Sequence, residues 1–571
     1  MTTLTTDHIA QLSGGAHAGG LLNLLRPAVA PADAARQETE DAAALAAAAG
    51  HPALIECQTA ATLLTEYADM NPDERAQNWA WTAVERVTEC AYAAIEGDDE
   101  RVDELAREAR GERAAMTLDR LESEGTAAAP ADRLVALDRE TYELLQWYAG
   151  PWPVEWLFPP AKDDRGRVLR PRIVVLFTGP GGLTHGILRI LRANVDIVGV
   201  DLDRGAVATS TAAGHRVILA DVTDLDPEHP CLQHVTGIAL TPPCQAYNPS
   251  GLRKGHYAGA IELIEHTVLE AAAAAGFHPV VTPDGGDVAP GCEDGYAPRS
   301  RMTWEEVREP LEQLEDARAG LMAEVVIWPL AMLARGGSVE WVAVEQSSAL
   351  PARIEAALMD RLSEAGWHTT EAFTLDAVDY GSASHRKRRL MAAYRGEPPF
   401  VDLTPTEPFP VTTFAEVVGW PAGRNYLTRG NRPVDPVTGR AKGGSSRSAD
   451  LPSTCVTATA YGWTCAETGE RITLEDISRL VGLPGDYPAH HVGRGRGVRN
   501  LTQGRADIVC PMVAAALFGR ILGDRRWEAK ARAYVEELYR PAEVEEGGQM
   551  LLQTLFAHRI PAQNTGRSPV A

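Results

Sequence analysis

The chain is short of the residues that would cross-link it or send it elsewhere. Its 571 residues include only 8 cysteines, scattered without paired spacing. That pattern excludes a disulfide framework and the usual zinc-ligand sets, and it points to a reducing compartment; no metal site is expected. No uninterrupted run of about 18 apolar residues is seen, so no membrane span is expected. Residues 1–15 lack a basic stretch followed by an apolar one, so no secretory leader is read there and the expected location is cytoplasmic. Positive charge is scarce. A net charge of -24 excludes general nucleic-acid binding by the whole surface and leaves only local basic clefts. What remains is an ordinary globular composition, 45% hydrophobic and 23% charged, in a chain long enough for two to four domains.

Residues 1–150 are rich in Ala, Glu and Asp. Stretches 34–49 and 100–122 read as helices with solvated faces, and the whole is expected to be a helical accessory region without catalytic residues. Residues 147–172 turn Pro-rich, aromatic and then basic, as a linker does. The pattern then changes. Short apolar runs at 173–177, 196–201, 217–221 and 237–240 read as strands, with a helix at 183–193. Buried strands alternating with helices imply an α/β fold with a doubly wound parallel sheet, whose functional residues belong at strand C-termini. An acidic, Gly/Pro-interrupted stretch at 256–312 is read as an insertion. A helix is expected at 311–333, a strand at 339–344, loops at 398–452, a helix pair at 512–539 and a poorly patterned tail after that.

Three features carry chemistry. Glycines 179, 181 and 182 follow the first strand, where they let a ligand approach the backbone closely. Asp201 and Asp203 follow the second strand and suit ribose hydroxyls; Asp221 follows the third and suits an adenine amino group. Each could instead be only a helix cap. The strongest signal is Thr241-Pro242-Pro243-Cys244-Gln245-Ala246-Tyr247-Asn248-Pro249-Ser250-Gly251, where two prolines make a rigid loop that presents Cys244.

This segment resembles the Pro-Cys-Gln loop of the cytosine-5 DNA methyltransferases. Phe177-Thr178-Gly179-Pro180-Gly181-Gly182 is similar to that family's cofactor loop. Val344-Glu345-Gln346 stands where it has Glu-Asn-Val. Tyr380-Gly381 with Ser384-His385-Arg386-Lys387-Arg388 resembles its Arg-rich element, and Pro452 to Thr457, Arg471 to Pro484 and Arg505 to Leu517 resemble its later elements in the family's order. The departures are Val175, Gln346, Ser347, Ser384, Asn248 and the pair Ala506-Asp507, which lies near the methyl donor in the family. The resemblance implies a Rossmann-like methyltransferase domain at 165–395, a small target-recognition region at 396–500, a closing segment at 501–545 and a tail at 546–571. It implies S-adenosylmethionine held by Phe177, Thr178, Gly179, Gly181, Gly182, Asp201, Asp203, Asp221 and Pro243. Catalysis would fall to Cys244, Glu345, Arg386 and Arg388.

The chemistry agrees. Cytosine C5 is a poor nucleophile until a thiolate adds at C6. Cys244 would supply the thiolate, Glu345 would hold or protonate N3, and Arg388, supported by Arg386, would clamp O2 or a phosphate. The base must leave the stack to be reached. Residues 421–448 hold six Arg/Lys and one acid; with Arg494, Arg496, Arg499 and Arg505 they suit phosphate contacts. Double-stranded DNA is the expected partner of a monomer, with a restriction endonuclease as a further one if the role is restriction–modification. The Ala/Gly/Arg-rich composition hints at a high-GC bacterium or its phage, and a phage enzyme would act in the host cytoplasm. An RNA cytosine-5 methyltransferase or a catalytically silent DNA-binding protein on the same scaffold are the alternatives; an adenine methyltransferase would carry an aromatic where Cys244 stands.

Overall fold

The computed structural model describes residues 40–71, 74–123, 130–248, 253–277, 302–369, 372–396, 403–428 and 446–539. The expected tail at 546–571, most of the basic stretch 421–448 and the centre of the 256–312 stretch lie outside the described residues.

The chain forms two compact units, residues 1–169 with 230–234, and the remainder. The first is helical. Helices α1 (Pro52–Met70), α2 (Glu74–Glu96) and α3 (Asp99–Ser123) pack on one another. Alanines dominate their shared core, around Leu54, Leu64 and Leu105. Small side chains let helix axes approach closely, so a sequence with few large apolar residues still buries a seam. Arg86 on α2 is buried and tied to Glu108 at 3.0 Å and Glu112 at 2.8 Å on α3. A further helix, α4 (Arg139–Ala149), is capped by Asp138, which accepts from Thr141 N.

The second unit is built on an eight-stranded sheet. Its strands are β1 (Arg172–Leu176), β2 (Asp196–Asp201), β3 (Val217–Leu219), β4 (Val235–Leu240), β5 (Trp341–Ser347), β6 (His368–Thr369), β7 (Phe373–Asp376) and β8 (Lys387–Tyr394). They run in the order β3-β2-β1-β4-β5-β8-β6, with β7 also on β8. The first five are parallel, and β8 is antiparallel to β5. This is the doubly wound, Rossmann-like fold. Every residue of β1 and β5 is buried, as both faces of a covered parallel sheet require. Gly237 in β4 leaves room for the ring of Trp341, which a Cβ there would overlap at 1.9 Å. The chain leaves β1 toward β2 and β3, then crosses back to β4 on the other side of β1. Ligands bind at such a switch point, outside the strand C-termini.

Several expectations are corrected. Within the stretch 256–312, residues 258–275 are not irregular: they form α7 (Ala258–Ala275), packed against α8 (Glu324–Ala334) and α9 (Ala352–Glu364). (Helices α5, Gly182–His185, and α6, Arg204–Ala212, precede them.) The helix expected at 183–193 is α5 followed by a π-helical turn at Gly186–Ile190, a distortion frequent near functional sites. Ala317–Ala334 is apolar enough for a membrane span by composition, with mean hydropathy 1.5, but 78% of it is buried inside the fold. Helices α10 (Val498–Ala506), α11 (Pro511–Ile521) and α12 (Trp527–Tyr539) close the unit. Nearly all of α11 is buried, and it packs on the π-helical turn. A small antiparallel sheet, β9 (Asn425–Leu427), β10 (Ser446–Ser448) and β11 (Thr464–Cys465), surrounds an aromatic core in which Phe414 stacks on Tyr426 at 4.2 Å.

Candidate active site

Two loops leave adjacent strand ends at the switch point. The glycine loop follows β1. Phe177 at its start has φ of 60°, a left-handed backbone that costs a non-glycine residue about 1–3 kcal/mol and tends to mark functional sites. The three glycines serve different needs. A Cβ on Gly181 would meet His215 and Ser210 at 2.5 Å, and one on Gly182 would meet the Val509 carbonyl at 2.2 Å. Gly179, at φ 57°, has nothing within 4 Å on that side, so its open side is where a ligand would approach. Behind the loop, Tyr487 donates to the Pro180 carbonyl at 2.8 Å.

The second loop follows β4. Thr241 donates to the Phe177 carbonyl at 2.7 Å and so ties the two loops together. Pro242 and Pro243 lead to Cys244, whose carbonyl accepts from Tyr247 N at 3.0 Å and Asn248 N at 2.9 Å. Burial pushes the half-buried Cys244 thiol up; Arg388 and Arg386 pull it down, while Glu345 and Asp507 reinforce the rise. The resting residue is a thiol.

Glu345 stands near the end of β5, where β8 runs antiparallel beside it with Ser347 opposite Arg388. Arg388 Nε lies 2.6 Å from Glu345 Oε1, and both side chains are largely buried. Among the described residues no N–H is aligned for a hydrogen bond to that oxygen, so the contact is an ion pair. Burial opposes the charge on Arg388, but Glu345, Cys244 and Cys455 hold its guanidinium above the ordinary value. Arg386 differs. It is 6% exposed, and its Nε has no hydrogen-bond partner among the described residues. Burial, then Arg388, depresses its pKa. A buried, unpaired guanidinium is costly to hold and stands ready for an acceptor. Cys244, Glu345, Arg386 and Arg388 thus share one electrostatic neighbourhood.

The three aspartates lie at or just after the C-terminal ends of β2 and β3, each partly engaged by backbone N–H groups. Asp201 accepts from Gly179 N at 2.7 Å and Asp203 N at 2.8 Å; burial raises its pKa against those two bonds. Asp203 caps α6 through Ala206 N at 2.8 Å, and its other oxygen accepts from Gly493 N. Asp221 accepts from Thr223 N at 3.0 Å and Thr223 Oγ1 at 2.8 Å through Oδ1 alone. Its Oδ2 has no hydrogen-bond partner among the described residues. Thr178 is buried, and its hydroxyl has no hydrogen-bond partner among the described residues. The open face of Gly179 and the spare oxygen of Asp221 fit a nucleoside cofactor, whereas the Thr178 side chain lies against Gly199 of β2. Asp203 has the least left to offer.

Sequence reading missed Gln346, seen only as a departure from a pattern. It is fully buried; its Nε2 donates to the Pro242 carbonyl at 3.1 Å and its Oε1 accepts from Ser347 N at 2.7 Å, bracing the loop that carries Cys244. Its place at a buried strand end was the available signal. Arg505 is a correction: it is 1% exposed, bound to Ser478 at 2.7 Å and to the Tyr487 carbonyl, and is no phosphate contact. Burial lowers its pKa to about 10. Arg494, Arg496 and Arg499 are exposed, and Arg389 is spent on Glu355 at 2.7 Å.

The class that fold and site define is a doubly wound α/β protein with a cysteine, a carboxylate and two guanidinium groups at the switch point. Among solved structures the chain is similar to a DNMT2 variant from Spodoptera frugiperda, at 13% identity and TM-score 0.37 over 62% of this chain and 99% of that one. It is also similar to the methyltransferase EhMeth from Entamoeba histolytica, at 12% identity and TM-score 0.39 over 62% and 98%. A third is the S. pombe Dnmt2 methyltransferase, at 12% identity and TM-score 0.38 over 62% and 98%. No protein-family model and no curated protein matches the sequence.

Proposed function

We propose that this chain is an S-adenosylmethionine-dependent cytosine-5 methyltransferase acting on duplex DNA. The observation that carries the reading is the convergence of Cys244, Glu345, Arg388 and the unpaired Arg386 beside the glycine loop. A cytosine flipped out of the helix would present C6 to Cys244, N3 to Glu345 and O2 to the guanidinium pair. As the Cys244 sulfur bonds to C6, the thiol proton passes to the Glu345 carboxylate and from there to N3, so the ring is neutral and the electrons displaced from the C5–C6 double bond make C5 nucleophilic. S-adenosylmethionine, when bound, supplies the electrophilic methyl group. Loss of the C5 proton and expulsion of Cys244 then restore the ring and the enzyme. Phe177, Thr178, Gly179, Asp201, Asp221 and Pro243 would hold the cofactor. The exposed Arg494, Arg496 and Arg499 suit DNA phosphates.

The test is incubation of the full-length protein with duplex DNA carrying 5-fluorocytosine and S-adenosylmethionine. Fluorine cannot leave as the proton does, so a denaturation-resistant adduct should accumulate with wild type and be absent with Cys244→Ser. An adduct on RNA alone would move the substrate and keep the chemistry. No adduct on a broad duplex pool, with tight binding retained, would leave a silent DNA-binding protein.

A further inference from the structure

We propose that Asp507 makes the cofactor site select by charge, favouring a cationic sulfonium donor over the neutral thioether product. This rests on the cofactor named above.

Asp507 follows the last residue of α10. A carboxylate at a helix C-terminus opposes the macrodipole, so helix stability does not explain it. Among the described residues only one of its oxygens is held, by Gln503 Nε2 at 2.6 Å; the residue is exposed as a whole, while burial around the carboxyl raises its pKa against the pull of Gln503, Arg386 and Arg388. Packing fixes where it stands. One turn earlier, Gly504 faces Pro180 of the glycine loop, to which a Cβ there would lie 3.8 Å from Cγ. Directly after it, Ile508 and Val509 crowd Gly182, whose Cβ would fall 2.9 Å from the Ile508 side chain. Asp507 is therefore bracketed by two contacts with the cofactor loop. It shares the electrostatic field of Arg386 and Arg388, and it acts on the Cys244 thiol. Its chain neighbours on both sides touch the glycine loop, and its charge is felt at the nucleophile; a transferable methyl must lie between those two.

Donor and product differ there by one charge. S-adenosylmethionine carries a sulfonium; S-adenosylhomocysteine carries a neutral thioether, and the rest of the two molecules is the same. A carboxylate beside the sulfur raises affinity for the first alone. Asp201, half-buried and bound to Gly179 N of the loop, is electrostatically coupled to Asp507 and adds to the same field. The product is then released into a site that no longer attracts it.

The experiment is calorimetric titration of both molecules into full-length wild type, Asp507→Asn and Asp507→Glu. Asp507→Asn should weaken the sulfonium compound about tenfold, the size of one charge across a partly solvated gap, and leave the thioether within about twofold. Asp507→Glu should keep most of the preference. Equal loss of both affinities, or no change in either, would overturn the proposal. Wild type alone gives a second reading: the preference ratio should shrink as salt is raised, and a flat ratio counts against it. Should wild type bind neither compound, the proposed function falls and takes this inference with it.

Discussion

Arg388 and Glu345 bind each other's fate before any substrate arrives. Removing one partner of a buried pair strands the other charge, at about 3–5 kcal/mol. Arg388→Ala should lower the urea midpoint accordingly, and adding Glu345→Gln should recover part of it. Recovery of nothing would mean the pair is not coupled. Cys244 offers a second check. Because burial raises its pKa, alkylation by iodoacetamide, mapped by mass spectrometry, should be slow at pH 7 and still rising at pH 9. A plateau near neutrality would contradict the thiol state. At this scale the sequence was informative where chemistry sits in a local motif, as for Cys244. It was silent on Gln346 and misleading on Arg505, because a letter shows charge or polarity and not what encloses it. Burial of Arg505 follows from Ser478 and Tyr487, distant in the chain and close only after folding.

Among the elements, the glycine loop shows how one motif divides its labour. At Gly182 the obstacle to a side chain is a backbone carbonyl, which cannot swing away. Gly182→Ala should therefore cost about 1–3 kcal/mol in stability. Gly179 meets no obstacle and pays only for its left-handed backbone, about 1–2 kcal/mol, yet its Cβ would project into the open side. Gly179→Ala should lose more cofactor affinity than its stability loss accounts for, measured by calorimetry against thermal unfolding; parallel losses in both variants would refute the division. The parallel strands were legible because runs such as Ile173-Val174-Val175-Leu176 must be buried on both faces. Helix α7 was not. Its flanks are rich in Gly, Pro and acid, and that punctuation masked the alanine-rich stretch between them.

For the molecule as a whole, pH should act through two histidines behind the glycine loop. His185 contacts the Tyr534 hydroxyl at 3.2 Å and His215 the Ser210 hydroxyl at 3.1 Å. Burial depresses them to about 3 and about 4 respectively. A histidine whose folded pKa lies below its unfolded value of about 6.5 adds no penalty above that pH; stability is lost as pH falls from there toward the folded pKa. Each should contribute about 2–3 kcal/mol of loss by pH 4.5. His215→Gln should flatten the stability profile between pH 6.5 and 4.5, and an unchanged slope would show that other groups govern it.

The chain's two compact units do not correspond to two continuous stretches of gene. Residues 230–234 belong with the N-terminal unit although they are encoded between β3 and β4, and Cys231 and Leu232 within them are fully enclosed. The contact runs through Cys231 Sγ and the Pro153 carbonyl at 3.9 Å. A fragment beginning at Arg170 would therefore carry a sticky apolar remnant in the middle of its sequence, and a fragment ending at Leu169 would lack a piece of its own interior. Swapping the helical part for another, by recombination or by a cloning cut, leaves a scar that neither half can repair alone.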